Sequence, residues 1–183
     1  MSNGLTNFSV HTRVDPRRIR QLRHQSAQPS PKAGPILYWM IRDMRVQDNW
    51  ALLYALELAQ QSNTWVEVVF ALRSDLDKHL GTARLLDSLI GGLREIEKEL
   101  RRLGIGFRFL LGEPVDQVML ETTRIQPQAV VLDFSPLQPY RNWHSELSKQ
   151  VGCPVFQVDA HNIVPCWHAS NKAEYSARTG GKL

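Results

Sequence analysis

From Pro35 onward the chain alternates short, continuously apolar runs with longer stretches of helical spacing, and this alternation restricts the fold more than any single motif. PILYWMI, WVEVVFAL, GIGFRFLLG, AVVLDF and PVFQVD are apolar along their length rather than at every second residue. A strand can be apolar on both faces only when both are covered, which is the condition of a parallel sheet between two helical layers. Between these runs lie VQDNWALLYALELAQQ, a segment from Thr82 to Leu103, PVDQVMLETTRIQ and YRNWHSELSKQVG. In the second of them Leu85, Leu86, Leu89, Leu93, Ile96 and Leu100 are spaced for one helix face. The expected architecture is a three-layer α/β/α domain with a five-stranded parallel sheet.

Right-handed crossovers put the C-terminal ends of all five strands on one edge. Ligands of such folds bind in the crevice outside those ends, near the point where strand order reverses. Three polar clusters are predicted there: Arg42, Asp43, Arg45, Asp48 and Asn49 after the first strand, Asp133 and Ser135 after the fourth, and Asp159, His161 and Asn162 after the fifth. The strands they follow are therefore expected to surround one crevice.

Ahead of this domain the composition differs. Residues 1–34 hold six basic residues against Asp15 alone, so this arm carries more than the whole net charge of +4. Residues 1–13 read as disordered, DPRRIRQLRHQ as a short basic helix capped by Asp15 with Pro16 in its first turn, and QSAQPSPKAGP as a linker. An arm of this kind can touch nucleic acid phosphates, though it is more often a solvated tail. The 43% hydrophobic and 22% charged content is that of a globular protein. No apolar run reaches the roughly 20 residues of a membrane helix, and the first residues lack the apolar core of an export signal. The two cysteines, Cys153 and Cys166, read as small hydrophobes in a reducing, cytoplasmic setting.

Several chemistries are disfavoured by what the strand ends carry. RDMRVQDN contains no glycine, and no GxxxxGK[ST] or GxSxG occurs, so neither a phosphate loop nor a nucleophile elbow is predicted. Cys153, His161, Cys166 and His168 match no zinc spacing, because the first precedes a strand that the others follow. Gly91-Gly92, inside a helical pattern, reads as a close-packing position, and Ser135 as the cap of a turn. What remains is a set of carboxylates and amides accompanied by Trp39, Trp50, Phe134, Trp143 and Trp167, most of the tryptophans being assigned to the core. Aromatic walls with a few fixed hydrogen-bonding groups suit a flat heterocycle. Asp159 and Asn162 can bond the turn that contains them, while His161 is expected to brace the domain junction. The residues by themselves describe a binding module.

Three stretches, YWMIRDMRVQDNWALLYA, VVLDFSPLQPYRNW and QVDAHNIVPCWHASNKAEYSARTGGKL, resemble the N-terminal half of class II cyclobutane pyrimidine dimer DNA photolyases. The basic segment DPRRIRQLRH is similar to that family's entry segment, so the resemblance runs over residues 15–183. It implies a Rossmann-like antenna domain over residues 35–165 with strand order 3-2-1-4-5. Residues 1–34 would be the arm, and 166–183 the start of a linker toward an FAD-binding helical domain that this chain does not include. It further implies a light-harvesting chromophore, a deazaflavin or a folate, for which Arg42, Asp43, Asn49, Asp133, Phe134 and Ser135 are the candidate residues.

FAD in the second domain would drive the repair of dimers in damaged DNA. The full-length protein would be a carbon–carbon lyase, and this chain alone would not repair DNA. The contrasting expectation is a free-standing, flavodoxin-like small-molecule or nucleotide-binding module.

Overall fold

Each residue of strand β2 (Ile36–Trp39) is buried, and neighbouring side chains serve opposite layers. Ile36 and Tyr38 enter the core shared with helices α1 (Trp50–Gln61) and α2 (Ala83–Arg102), whereas Leu37 and Trp39 enter the one shared with α3 (Pro114–Ile125) and α4 (Gln138–Gln150). This is what a continuously apolar run means when both faces are covered. The computed structural model describes residues 13–23, 34–74 and 83–169.

β2 pairs in parallel with β3 (Val66–Leu72) on one side and β5 (Ala129–Asp133) on the other. β4 (Gly106–Leu111) extends the sheet beyond β3, and β6 (Val155–Val158) extends it beyond β5, again in parallel. The five parallel strands thus follow the expected order 3-2-1-4-5. All their C-terminal ends lie on one edge, as the sequence pattern requires.

The sheet has a sixth strand, which corrects the expectation of five. β1 (Ile19–Arg23) pairs antiparallel with β6, where a short basic helix was predicted. The predicted cap is present: Asp15 accepts from the Arg17 N–H at 2.9 Å, and Pro16 follows it. It supports only a single 3₁₀ turn, Pro16–Arg18. An isolated helix of that length has little stability of its own, whereas the open edge of β6 offers a ladder. Ile19 and Leu22 then pack against the two cores on opposite faces, and Val14 is completely buried. β1 thereby draws residues expected in the arm into the sheet. The disorder expected over residues 1–13 and the linker expected over residues 25–35 fall almost wholly outside the described residues, as does the chain after residue 169.

Among the described residues no helix is long and apolar enough to cross a membrane. Gly34 permits a close crossing, since a Cβ there would stand 2.0 Å from the Gln126 carbonyl oxygen. Gly91 and Gly92 are a different case. A Cβ at either would meet nothing within 4 Å, so the expected close packing is absent. A glycine inside a helix costs about 0.5–1 kcal/mol relative to alanine. Gly91→Ala is therefore expected to raise the unfolding free energy by about that amount, measured by denaturant titration; destabilisation would reveal a neighbour that the fold does not show.

Candidate functional site

The parallel register sets Leu132 beside Trp39, so Asp133 follows directly under the backbone that leaves β2. Its carboxylate is fully buried and accepts the N–H groups of Ile41 (3.1 Å), Arg42 (3.0 Å) and Asp43 (2.8 Å). The Tyr38 hydroxyl stands 3.3 Å away on the same oxygen. Consecutive N–H groups converging on one anion form a backbone nest, here filled by the protein's own carboxylate. Burial pushes the Asp133 carboxyl up to about 6; the N–H groups of Asp43 and Ile41 pull against this, and the Asp43 charge adds to it.

Asn49 closes the other end of the loop. Its Oδ1 accepts from Leu52 N–H at 3.0 Å and caps α1, while its Nδ2 donates to the Asp43 and Arg45 carbonyls at 3.1 and 2.9 Å. Asp133 and Asn49 therefore hold residues 41–45 from opposite ends. Asp43 is buried, with Oδ1 3.3 Å from His161 Nδ1 and 3.6 Å from Arg45 Nη2. Its Oδ2 is a buried acceptor with no hydrogen-bond partner among the described residues. Arg42 is half-buried.

The turn after β6 is organised by Asp159, as its sequence suggested. The carboxylate accepts from the N–H groups of His161, Asn162 and Cys166 and from the Asn162 amide. Burial alone would raise the Asp159 carboxyl, but these donors outweigh it and hold it low. The same turn meets the β2–α1 loop through His161 and through Arg45, which donates to the Ala160 carbonyl at 3.0 Å. The segments beginning at Arg42, Asp133 and Asp159 thus converge on one rim. Phe134 is half-buried edge-on to Trp167, with centroids 5.2 Å apart, and Ser135 is buried in the turn before α4 with its Oγ 3.4 Å from Leu137 N.

A groove of about 470 Å³ opens between the β2–α1 loop and α2. Met44, Arg45 and Val46 form one wall; Leu89, Leu93 and Ile96 form the other, with Glu95 and Glu99 alongside. Gly92 lies on this lining, where the space beside its Cα is open. Sequence reasoning placed the crevice among the first, fourth and fifth parallel strands, with Arg45 in its rim, and assigned Leu89, Leu93 and Ile96 only to a helix face. The available signal was the glycine pair in an otherwise regular amphipathic helix. Of the six candidates, Asn49, Asp133 and Ser135 spend their polar atoms on the protein itself, leaving Arg42, Asp43 and Phe134 with capacity for something else. The tryptophans also divide: Trp39 is core, Trp143 stacks beside it with centroids 6.3 Å apart, and Trp50 is 37% exposed beneath the Arg18 guanidinium.

Cys166 and His144 are both held uncharged at neutral pH. Burial and the Asp159 charge push the Cys166 thiol up to about 11, so it stays protonated at neutral pH. The His144 imidazole, buried on α4, accepts from Gln157 Nε2 at 2.7 Å, and burial lowers it to about 4. Unfolded His144 binds a proton near the ordinary histidine value of 6.5, so stability is lost as pH falls from about 6.5 to about 4. Asp133 works in the opposite sense, because the folded state takes up its proton first, from about 6 downward. We expect His144→Gln to remove the first contribution and leave the second. Between pH 7 and pH 4.5 its unfolding free energy should improve on wild type by up to about 3 kcal/mol. Parallel pH profiles would show that His144 is not held neutral.

A family model described as DNA photolyase matches residues 36–180. The deoxyribodipyrimidine photo-lyase of Arabidopsis thaliana is 42% identical over 170 residues, covering 91% of this chain and 34% of that protein. That of Potorous tridactylus is 42% identical over 172 residues, covering 91% and 31%. This chain spans about a third of the length of the curated relatives it matches. Among solved structures, a bacterial class III photolyase from Agrobacterium tumefaciens aligns with a TM-score of 0.50 at 18% identity, over 73% of this chain and 27% of that one. This last likeness is one of fold.

Proposed function

Since this chain belongs to the DNA photolyase family, we propose that it is the light-harvesting-chromophore domain of a class II photolyase. The class is supported by the three motif stretches, which together resemble the N-terminal half of that class. Light-driven repair of pyrimidine dimers in damaged DNA is proposed for the domain joined, in cis or in trans, to an FAD-binding portion, in a cytoplasmic setting. FAD would reside in the part of the family's length that this chain does not span.

The observation that carries the light-harvesting reading is the groove beside the β2–α1 loop. Its volume lies in the range of small-molecule sites, and its walls are apolar with a few polar groups. A deazaflavin or a folate fits those properties: a flat ring can lie against Leu89, Leu93 and Ile96, and the open space at Gly92 allows close approach to the helix. Asp43 Oδ2, a buried acceptor left without a partner in the loop that supplies one wall of the groove, is the acceptor we assign to a ring N–H, with Arg42 and Phe134 as further candidates at the strand ends. Asn49, Asp133 and Ser135 act by holding that rim in place. The pigment, when bound, supplies absorption in the near-ultraviolet or blue.

Titration of the purified chain with each pigment, followed by absorption and fluorescence, tests this. Gly92→Trp fills the groove and should weaken binding at least about tenfold, a loss of roughly 1.4 kcal/mol, while Gly91→Ala should leave it unchanged. Equal affinity in Gly92→Trp would remove the groove from the reading. Weakening by Asp43→Ala alone would return the site to the strand ends, and no binding of either pigment to the parent chain would end the light-harvesting proposal.

A further inference from the structure

The two oxygens of the Asp43 carboxylate, whose side chain is only 2% exposed, have different surroundings. Oδ1 meets His161 Nδ1 at 3.3 Å and Arg45 Nη2 at 3.6 Å, whereas Oδ2 is buried without a hydrogen-bond partner among the described residues. An ionised carboxylate only accepts, so Nδ1 carries the hydrogen in its contact with His161. This contact is half of a clasp. Arg45 reaches from the β2–α1 loop to the Ala160 carbonyl at 3.0 Å, and His161 reaches back from the turn after β6 to the loop. The turn is the firm side. Asp159 accepts the N–H groups of His161, Asn162 and Cys166, and Arg18 donates to the carbonyls of Asp159, Asn162 and Ile163. The loop is the side that lines the groove, through Met44, Arg45 and Val46.

We propose that His161 is a positioning residue for the ligand of the groove: it fixes Asp43 by Oδ1, leaves Oδ2 as the acceptor for a ring N–H, and keeps that carboxylate ionised in acid. The assignment rests on the light-harvesting reading above, in which Asp43 is the acceptor. Charge gives the reason for a histidine here. The Asp43 N–H is bound by the Asp133 carboxylate at 2.8 Å, so two buried carboxylates stand together, and the charge of one raises the other. Among the described residues, the other charged groups around His161 are Asp159 in its own turn, Arg45, and Arg18 on the carbonyls of that turn. Arg45, the permanent cation paired with Asp43, is itself 44% exposed at its side chain. Buried carboxylates are costly without a countercharge, and histidine is the side chain able to gain one just below neutrality. As the pH falls, a proton on the imidazole adds a positive charge beside Oδ1, and the acceptor survives. A proton on the carboxylate pair takes the acceptor's charge away.

The test titrates the whole chain and its His161→Gln variant with 5-deazariboflavin and with folic acid, followed by fluorescence. Each titration is run at about pH 8 and at about pH 5.5, on either side of the histidine range. Glutamine keeps a donor for Oδ1 but never gains a charge, so only the second proton route is left to it. The variant should bind more weakly than the parent at both pH values. Its deficit should widen at least about threefold at the lower one, the scale of a single ion pair. Asp133 is present in both proteins, so the ratio of their affinities isolates what His161 adds. Circular dichroism melts at both pH values establish that the variant is folded. A deficit of equal size at both makes His161 a structural brace and overturns the assignment, as does a variant that binds like the parent. A parent chain that binds neither probe at either pH ends the light-harvesting reading itself, and the assignment with it.

Discussion

Asp133→Ala should cost about 3–5 kcal/mol of unfolding free energy, read from the denaturant midpoint at pH 7. The substitution strips the acceptor from three consecutive N–H groups, those of Ile41, Arg42 and Asp43, and from the Tyr38 hydroxyl beside them. Each buried donor left unpaired costs about 1–3 kcal/mol. The sum is reduced because the variant no longer desolvates a carboxylate, a burden visible in how far burial raises this group. Asp133→Asn should lose less, because all four donors reach the same oxygen and the amide keeps one acceptor there, its NH₂ meeting only the Ile41 N–H, which lies 3.2 Å from the other oxygen. Both variants should also loosen residues 41–45, and with them one wall of the groove. A loss below about 1 kcal/mol would mean that the loop finds other partners and that Asp133 does not organise it.

Removing residues 1–23 is expected to have an effect at least as large. The deletion takes away β1, uncovers the edge of β6 and empties the site of Val14, which is completely buried. It also removes Arg18, whose guanidinium bridges the carbonyls of Asp159, Asn162 and Ile163 and lies 5.3 Å from the Trp50 ring. Lost burial and lost hydrogen bonds together come to about 5 kcal/mol or more, comparable with the whole stability of many domains. The truncated chain should therefore aggregate or melt far below the parent. Arg18→Ala, which keeps the strand, should be milder, at about 2 kcal/mol. Had the basic segment been only a solvated arm, the truncation would leave the midpoint where it was, and circular dichroism melts separate the two outcomes.

The region around Arg18 shows where reading the chain alone reaches its limit. Asp15 and Pro16 are correctly a cap and a first turn, but a local signal cannot know that an unpaired strand edge lies within reach. Ile19 and Leu22 look like one side of a helix when taken locally and become opposite faces of a strand once β6 is beside them. Gly91-Gly92 failed for a related reason: glycine in a helix signals that space matters, without saying whether protein or open groove occupies that space. Asp133 was recognised as a polar group at a strand end, yet its geometry made it the anion of a backbone nest rather than a group free for a ligand. In contrast, Asp159 and Asn162 act within one turn, so their bonding was legible locally.

What the amino-acid order determined alone was the succession of elements from Pro35 onward, the parallel arrangement of five strands, and the edge on which the polar clusters meet. Those properties follow from periodicity and from the handedness of crossovers, which are local rules repeated along the chain. Only the folded arrangement decided that the N-terminal segment is a sixth strand, that the predicted carboxylates mostly brace a loop, and that the groove lies between that loop and α2. Each of these depends on contacts between residues far apart in sequence, and the energy of such contacts depends on which surfaces the rest of the fold has left open.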